Sequence, residues 1–138
     1  DAITQGDHNA CFGYNAGTTI TWQGQNTCIG SLAGAAGATL GSTNTLIGSV
    51  AGYVITGDGN ICLGVSAGAN ITTGDGNVVI GRANVTATGD DQLSISDGVN
   101  GAVVWMTGDN SGNVIHTGTT HSAGGQLTTT GKALVIGF

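Results

Sequence analysis

The sequence predicts an all-β protein made of stacked repeats, as coils of a β-solenoid or layers of a β-prism. Three observations lead there. The phrase GDGNICLGVSAG at 57–68 recurs as GDHNACFGYNAG from Gly6, GQNTCIGSLAG from Gly24, GSTNTLIGSVAG from Gly41 and GDGNVVIGRAN from Gly74. Its asparagines, Asn9, Asn26, Asn44, Asn60 and Asn77, are spaced 17, 18, 16 and 17 residues apart. A fixed period marks a repeat architecture, and this one is shorter than the common helical repeats. Finally, the 138 residues include 27 glycines, a density that opposes helix.

Each repeat reads as a turn, a short strand and a tight bend. Gly-Asp-Gly-Asn at 57–60 and 74–77 is a turn, because Gly and Asn tolerate positive φ. The strand cores are ACF, TCI, TLI, ICL and VVI, each starting one residue after its asparagine. Their apolar pairs are Cys11 and Phe12, Cys28 and Ile29, Leu46 and Ile47, Cys62 and Leu63, Val79 and Ile80. These pairs are expected to face the repeat or trimer core. The asparagines, falling one above another, are expected to form side-chain amide ladders. Second strands are expected at 19–21, 54–56 and 71–73. After residue 88 the pattern changes. DQLSIS alternates like a half-buried strand, AVVWM at 102–106 and NVIH at 113–116 read as strands, and Trp105 is expected in a core. The apolar ending KALVIGF is expected to dock on a neighbour. The organisation is therefore a five-repeat array at 1–88 and a C-terminal β region at 89–138, with no flexible linker between them.

Composition narrows the function classes. The net charge is −6, and Arg82 and Lys132 are the two basic residues. Nucleic-acid binding needs clustered Lys and Arg to neutralise phosphate, so it is set aside. No apolar run approaches the roughly 18–20 residues of a membrane span, so no membrane insertion is expected. Hydrophobic residues reach 39% and recur at fixed places, which argues for order. With few large side chains, burial must come from stacking repeats or from association of identical chains.

Few residues invite chemistry. Cys11, Cys28 and Cys62 share one repeat slot with Leu46 and Val79, so they read as small buried hydrophobes. An odd count without CxxC spacing disfavours a disulfide frame or a zinc site. His116 and His121, in HTGTTH, are metal candidates only if symmetry gathers imidazoles from several chains; otherwise they are polar loop residues. The aspartates sit in turns, where their side chains bond nearby backbone. No nucleophile elbow, P-loop or catalytic triad spacing is present, and neither an enzyme activity nor a cofactor is expected. Tyr14 and Arg82 occupy the variable slot after the repeat glycine and, with Trp22 and Tyr53, are the surface-contact candidates.

The repeat N-x-x-[IL]-G-x-x-A-G, joined by TTGDGN, resembles repeats of bacteriophage tail fibres and other virion fibre proteins. DQLSIS followed by MTGDNSGNV, and the ending TTGKALVIGF, are similar to regions that follow such arrays. The resemblance implies a homotrimer about a threefold axis, displayed on the virion. Its expected partners are itself, other virion proteins and a host cell-surface glycan or protein. A capsid decoration knob of the same build and a polysaccharide-degrading tailspike are the alternatives. Heads of trimeric autotransporter adhesins have a shorter period. Left-handed β-helix acyltransferases need three hexapeptides per coil where one fits here. An ice-binding solenoid needs a Thr ladder, and the threonines drift between repeats.

Overall fold

A computed structural model describes residues 6–35 and 39–117, together with the strands Thr120–Ser122 and Gly125–Leu127. The described chain is all-β, and the repeats form a β-solenoid of about five turns. Each repeat contributes one three-residue strand: β1 (Ala10–Phe12), β2 (Thr27–Ile29), β3 (Thr45–Ile47), β4 (Ile61–Leu63) and β5 (Val78–Ile80). Neighbouring coils pair in parallel with the repeat register unbroken, so Cys11, Cys28, Leu46, Cys62 and Val79 form one column. β6 (Leu93–Ser96) lies beyond the fifth repeat yet continues the stack in parallel, with Leu93 against Val78. The direction then reverses. β7 (Val104–Gly108) and β8 (Val114–His116) add antiparallel strands. β9 (Thr120–Ser122) and β10 (Gly125–Leu127) form a separate antiparallel pair. The ending KALVIGF lies outside the described residues.

The interior of the solenoid is built from three columns. The strand centres Cys28, Leu46, Cys62 and Val79 are fully buried. Ala33, Ala51, Ala67 and Ala83 follow the bend, and Ile20, Leu40, Ile55 and Ile71 close the far side. Each buried aliphatic contributes roughly 1.5–3 kcal/mol as an upper figure. The glycine after the alanine is required by the large side chains: a Cβ at Gly52 would lie 2.8 Å from the Ile55 Cδ1. The segments 19–21, 54–56 and 71–73 are not strands. Their isoleucines, Ile20, Ile55 and Ile71, point inward, while threonines beside them bond the adjacent coil, as from Thr56 Oγ1 to the Thr72 carbonyl at 3.1 Å and from Thr72 Oγ1 to the Ala87 carbonyl at 3.1 Å. Backbone bonds also link the coils here, from the Thr56 N–H to the Thr72 carbonyl at 2.7 Å and from the Thr72 N–H to the Ala87 carbonyl at 2.8 Å, without extending into a strand ladder.

The apolar pairs divide between two faces. Successive strand residues point to opposite sides, so only the first member of each pair enters the solenoid. The second members, Phe12, Ile29, Ile47, Leu63 and Ile80, point outward, with Phe12 78% and Leu63 45% exposed. Cys11 is the exception among the first members, being exposed in the first coil. Trp105, expected in a core, is 52% exposed on β7, whose other residues are half-buried.

Candidate functional site: ladders and outward faces

The asparagine ladder runs through the coil at the mouth of each strand. Asn44 Oδ1 accepts the Asn60 backbone N–H at 2.9 Å, and Asn60 Oδ1 accepts the Asn77 N–H at 3.0 Å. The Nδ2 groups reinforce it, from Asn60 to Asn44 Oδ1 at 3.2 Å and from Asn77 to Asn60 Oδ1 at 3.0 Å. Asn9 Oδ1 and Asn26 Oδ1 serve the coils above in the same way. Asn26, Asn44, Asn60 and Asn77 are all buried. Asn26 Nδ2 has no partner among the described residues.

The ladder runs one rung beyond the five asparagines expected to form it. Gln92 takes the sixth position, donating its backbone N–H to Asn77 Oδ1 at 3.0 Å and its Nε2 to the same oxygen at 3.1 Å. The signal was present in the alignment of GDDQLSI at 89–95 with GDGNVVI at 74–80. A second ladder runs along the turns. Asp58 Oδ1 accepts the Ser42 N–H at 2.6 Å, Asp75 Oδ1 that of Asp58 at 2.7 Å, and Asp90 Oδ1 that of Asp75 at 2.9 Å. These carboxylates tie one turn to the next. Among the described residues no group of three or more His, Cys, Asp or Glu side chains is placed to hold a metal ion.

The cysteines are free thiols, Cys28 and Cys62 buried and Cys11 exposed. Burial pushes both buried thiols up to about 12, because a thiolate would be stranded without water. Such thiols are poor nucleophiles. In the C-terminal region, Asp97 takes four backbone N–H groups, from Val99, Asn100 and Gly101 to Oδ1 and from Val103 to Oδ2. These donors hold its carboxyl down at about 2. His116 is exposed at the end of β8; His121 lies in β9, and its side chain is outside the described set.

The outward surface carries the remaining candidates. Tyr14 is 73% and Trp22 73% exposed, and Arg82 is exposed, whereas Tyr53 is half-buried. Tyr14, Ser31, Ser49, Val65 and Arg82 follow the repeat glycine in successive coils and form one outward column. Arg82 Nη1 donates to the Val99 carbonyl at 2.8 Å, which pins the guanidinium over the loop after β6. Below it a cleft of about 320 Å³ is lined by Ser66, Ala69, Asn70, Arg82, Asn84 and Asn100. Trp22 stands apart from this column, in the turn before Asn26. Among the described residues no helix is long and apolar enough to cross a membrane.

No family model, curated protein or solved structure matches the chain.

Proposed function

We propose that this chain is a structural virion protein, a trimeric fibre or spike segment that presents a surface for host attachment and has no enzymatic activity. The observation that carries the reading is the unbroken parallel register from β1 to β6. Stacked identical coils make a stiff axial rod in which each layer depends on its neighbours. Such a rod suits a part that must hold its length under load and carry variable residues on its outside. The outward column of Tyr14, Ser31, Ser49, Val65 and Arg82 changes chemical class from coil to coil, aromatic, hydroxyl, aliphatic and cationic, while the inner columns of the five repeats stay uncharged and mostly apolar. A protein selected for contact is expected to vary there.

The test is binding of fluorescently labelled full-length chain to intact bacterial cells, alongside binding to purified capsids. Saturable binding to cells, weakened by Tyr14→Ala and Arg82→Ala, is the expected result. Capsid binding without cell binding would overturn attachment in favour of a decoration knob. Glycan depolymerisation lost on Asp substitution would overturn the non-enzymatic reading.

A further inference from the structure

The outward face of the stacked strands has no partner among the described residues, although it is apolar along its length. It carries two columns. One holds Ala10, Thr27, Thr45, Ile61, Val78 and Leu93; the other holds Phe12, Ile29, Ile47, Leu63, Ile80 and Ile95. None of these twelve positions is charged. Phe12 is 78%, Ile61 44% and Leu63 45% exposed. Six strands at the usual sheet spacing put about 24 Å between β1 and β6, giving a stripe on the order of 300 Å². That matches the largest apolar patch a typical monomer exposes, and such patches are often functional.

We infer that this stripe is the seam between copies of this chain, the first column of one copy packing on the second column of the next, at the same height, around an axis parallel to the solenoid. Three features select a second copy as the occupant. A copy in register has the same rise per coil, so every side chain meets its counterpart level along the whole stripe. In the first three coils the columns are also complementary in size. Phe12, the bulkiest residue of one column, stands level with Ala10, the smallest of the other, and Ile29 and Ile47 stand level with Thr27 and Thr45. Lastly, charge permits it. The chain carries −6, but the aspartates of the array lie in the turns, and Arg82 lies on the neighbouring column, so like charges do not converge at the seam.

The number of copies, three, rests on the trimeric reading proposed above. One stripe pressed on another buries on the order of 600 Å² in total, below the roughly 1,200 Å² of a stable pair. In a ring of three each stripe divides its two columns between two neighbours, so the three seams together bury on the order of 900 Å². The contact is heterologous and closes into a ring, which leaves no unpaired apolar column.

The test uses light scattering after size exclusion, with circular dichroism beside it. The full chain is expected at three-chain mass. Leu63→Asp, which puts carboxylates at the seam on an already exposed position, is expected to give a folded single chain, while Thr73→Asp on an exposed turn keeps three. A wild-type single chain would overturn both the trimer and the seam, and a two-chain mass would overturn the threefold closure. A three-chain Leu63→Asp would overturn the seam and leave the trimer standing. Should Leu63→Asp not fold, a mixture supplies the answer. Ile61→Cys and Leu63→Cys chains, both carrying Cys11→Ser, are refolded together and oxidised with copper–phenanthroline. A covalent dimer containing one of each is expected, and its absence would overturn the pairing of columns.

Discussion

Replacing Asn60 with alanine removes the most heavily used rung of the asparagine ladder. Asn60 is fully buried. Its Oδ1 accepts from the Asn77 backbone N–H and Nδ2, both at 3.0 Å. Its Nδ2 donates to Asn44 Oδ1 at 3.2 Å, to the Asp58 carbonyl at 3.2 Å and to the Gly74 carbonyl at 3.0 Å. Alanine would strand the Asn77 N–H and take the side-chain donor from the Gly74 carbonyl. Each buried group left without a partner costs about 1–3 kcal/mol. Two of them give a loss of about 4 kcal/mol. Asn26→Ala is the matched control. It strands the Asn44 N–H, which Asn26 Oδ1 holds at 2.9 Å, but it also deletes an Nδ2 that has no partner among the described residues. One loss partly offset by one relief gives about 1 kcal/mol.

The assay is urea unfolding of both variants at one fixed protein concentration, since association adds to apparent stability. The difference between the two midpoints, at unchanged slope, carries the information. Asn60→Ala falling within 1 kcal/mol of Asn26→Ala would refute the reasoning. It would mean that water enters the coil and satisfies the stranded groups, and that the ladder contributes spacing without stability.

Three further outcomes follow from the same geometry. Gly30 has φ +128°, and a Cβ there would lie 2.5 Å from the Gly48 carbonyl oxygen; Gly30→Ala is expected to cost roughly 3–5 kcal/mol in thermal or urea unfolding, from backbone strain plus overpacking, whereas Gly98→Ala, with open space around it, is expected to be nearly silent. Cys62 has a folded-state value near 12, above the ordinary 9.0, so its stabilising effect is intact below about pH 9 and lost as pH climbs toward 12. The slope is at most about 1.4 kcal/mol per pH unit for that thiol, and urea midpoints between pH 8 and 11 should fall less steeply in Cys62→Val. Asp97 is held near 2, below the ordinary 3.8, so its contribution is present above about pH 4 and lost as pH falls through 2; the amide resonances of Val99, Asn100, Gly101 and Val103 should shift together in that window, and Asp97→Asn should abolish the shift.

Much of the array was legible in the sequence because a solenoid repeats its physics. The bend glycine is a case in point: Gly13, Gly30, Gly48, Gly64 and Gly81 all have positive φ, between 96° and 142°, where a side chain is strained, so the same letter returns in every coil. The residue before each rung of the ladder also has positive φ, yet among His8, Gln25, Thr43, Gly59, Gly76 and Asp91 only the two glycines share a letter, so that constraint left little trace. There the coil above dictates the backbone, and the strain at Thr43 is borne by the stack.

The division of the apolar pairs was illegible for a different reason. A strand of three residues is too short to display an alternation, so T-L-I reads as an apolar run with no sidedness. Register resolves it: Leu46 pairs with Cys28 and Cys62, which are 0% exposed, while Ile47 pairs with Ile29 and Leu63, which are 40% and 45% exposed. Composition then acquires a second meaning. The inward slot tolerates Cys, Leu, Val and even the Ser94 of β6, because the coil interior is narrow and lined by alanine. The outward slot holds Phe, Ile, Ile, Leu, Ile and Ile, and no polar residue enters it in six strands. If water were its permanent neighbour, polar residues would be expected to alternate there, as on the solvated side of other sheets. The stricter apolar column is the outer one, and for that reason the core of this protein is sought between chains as well as within one.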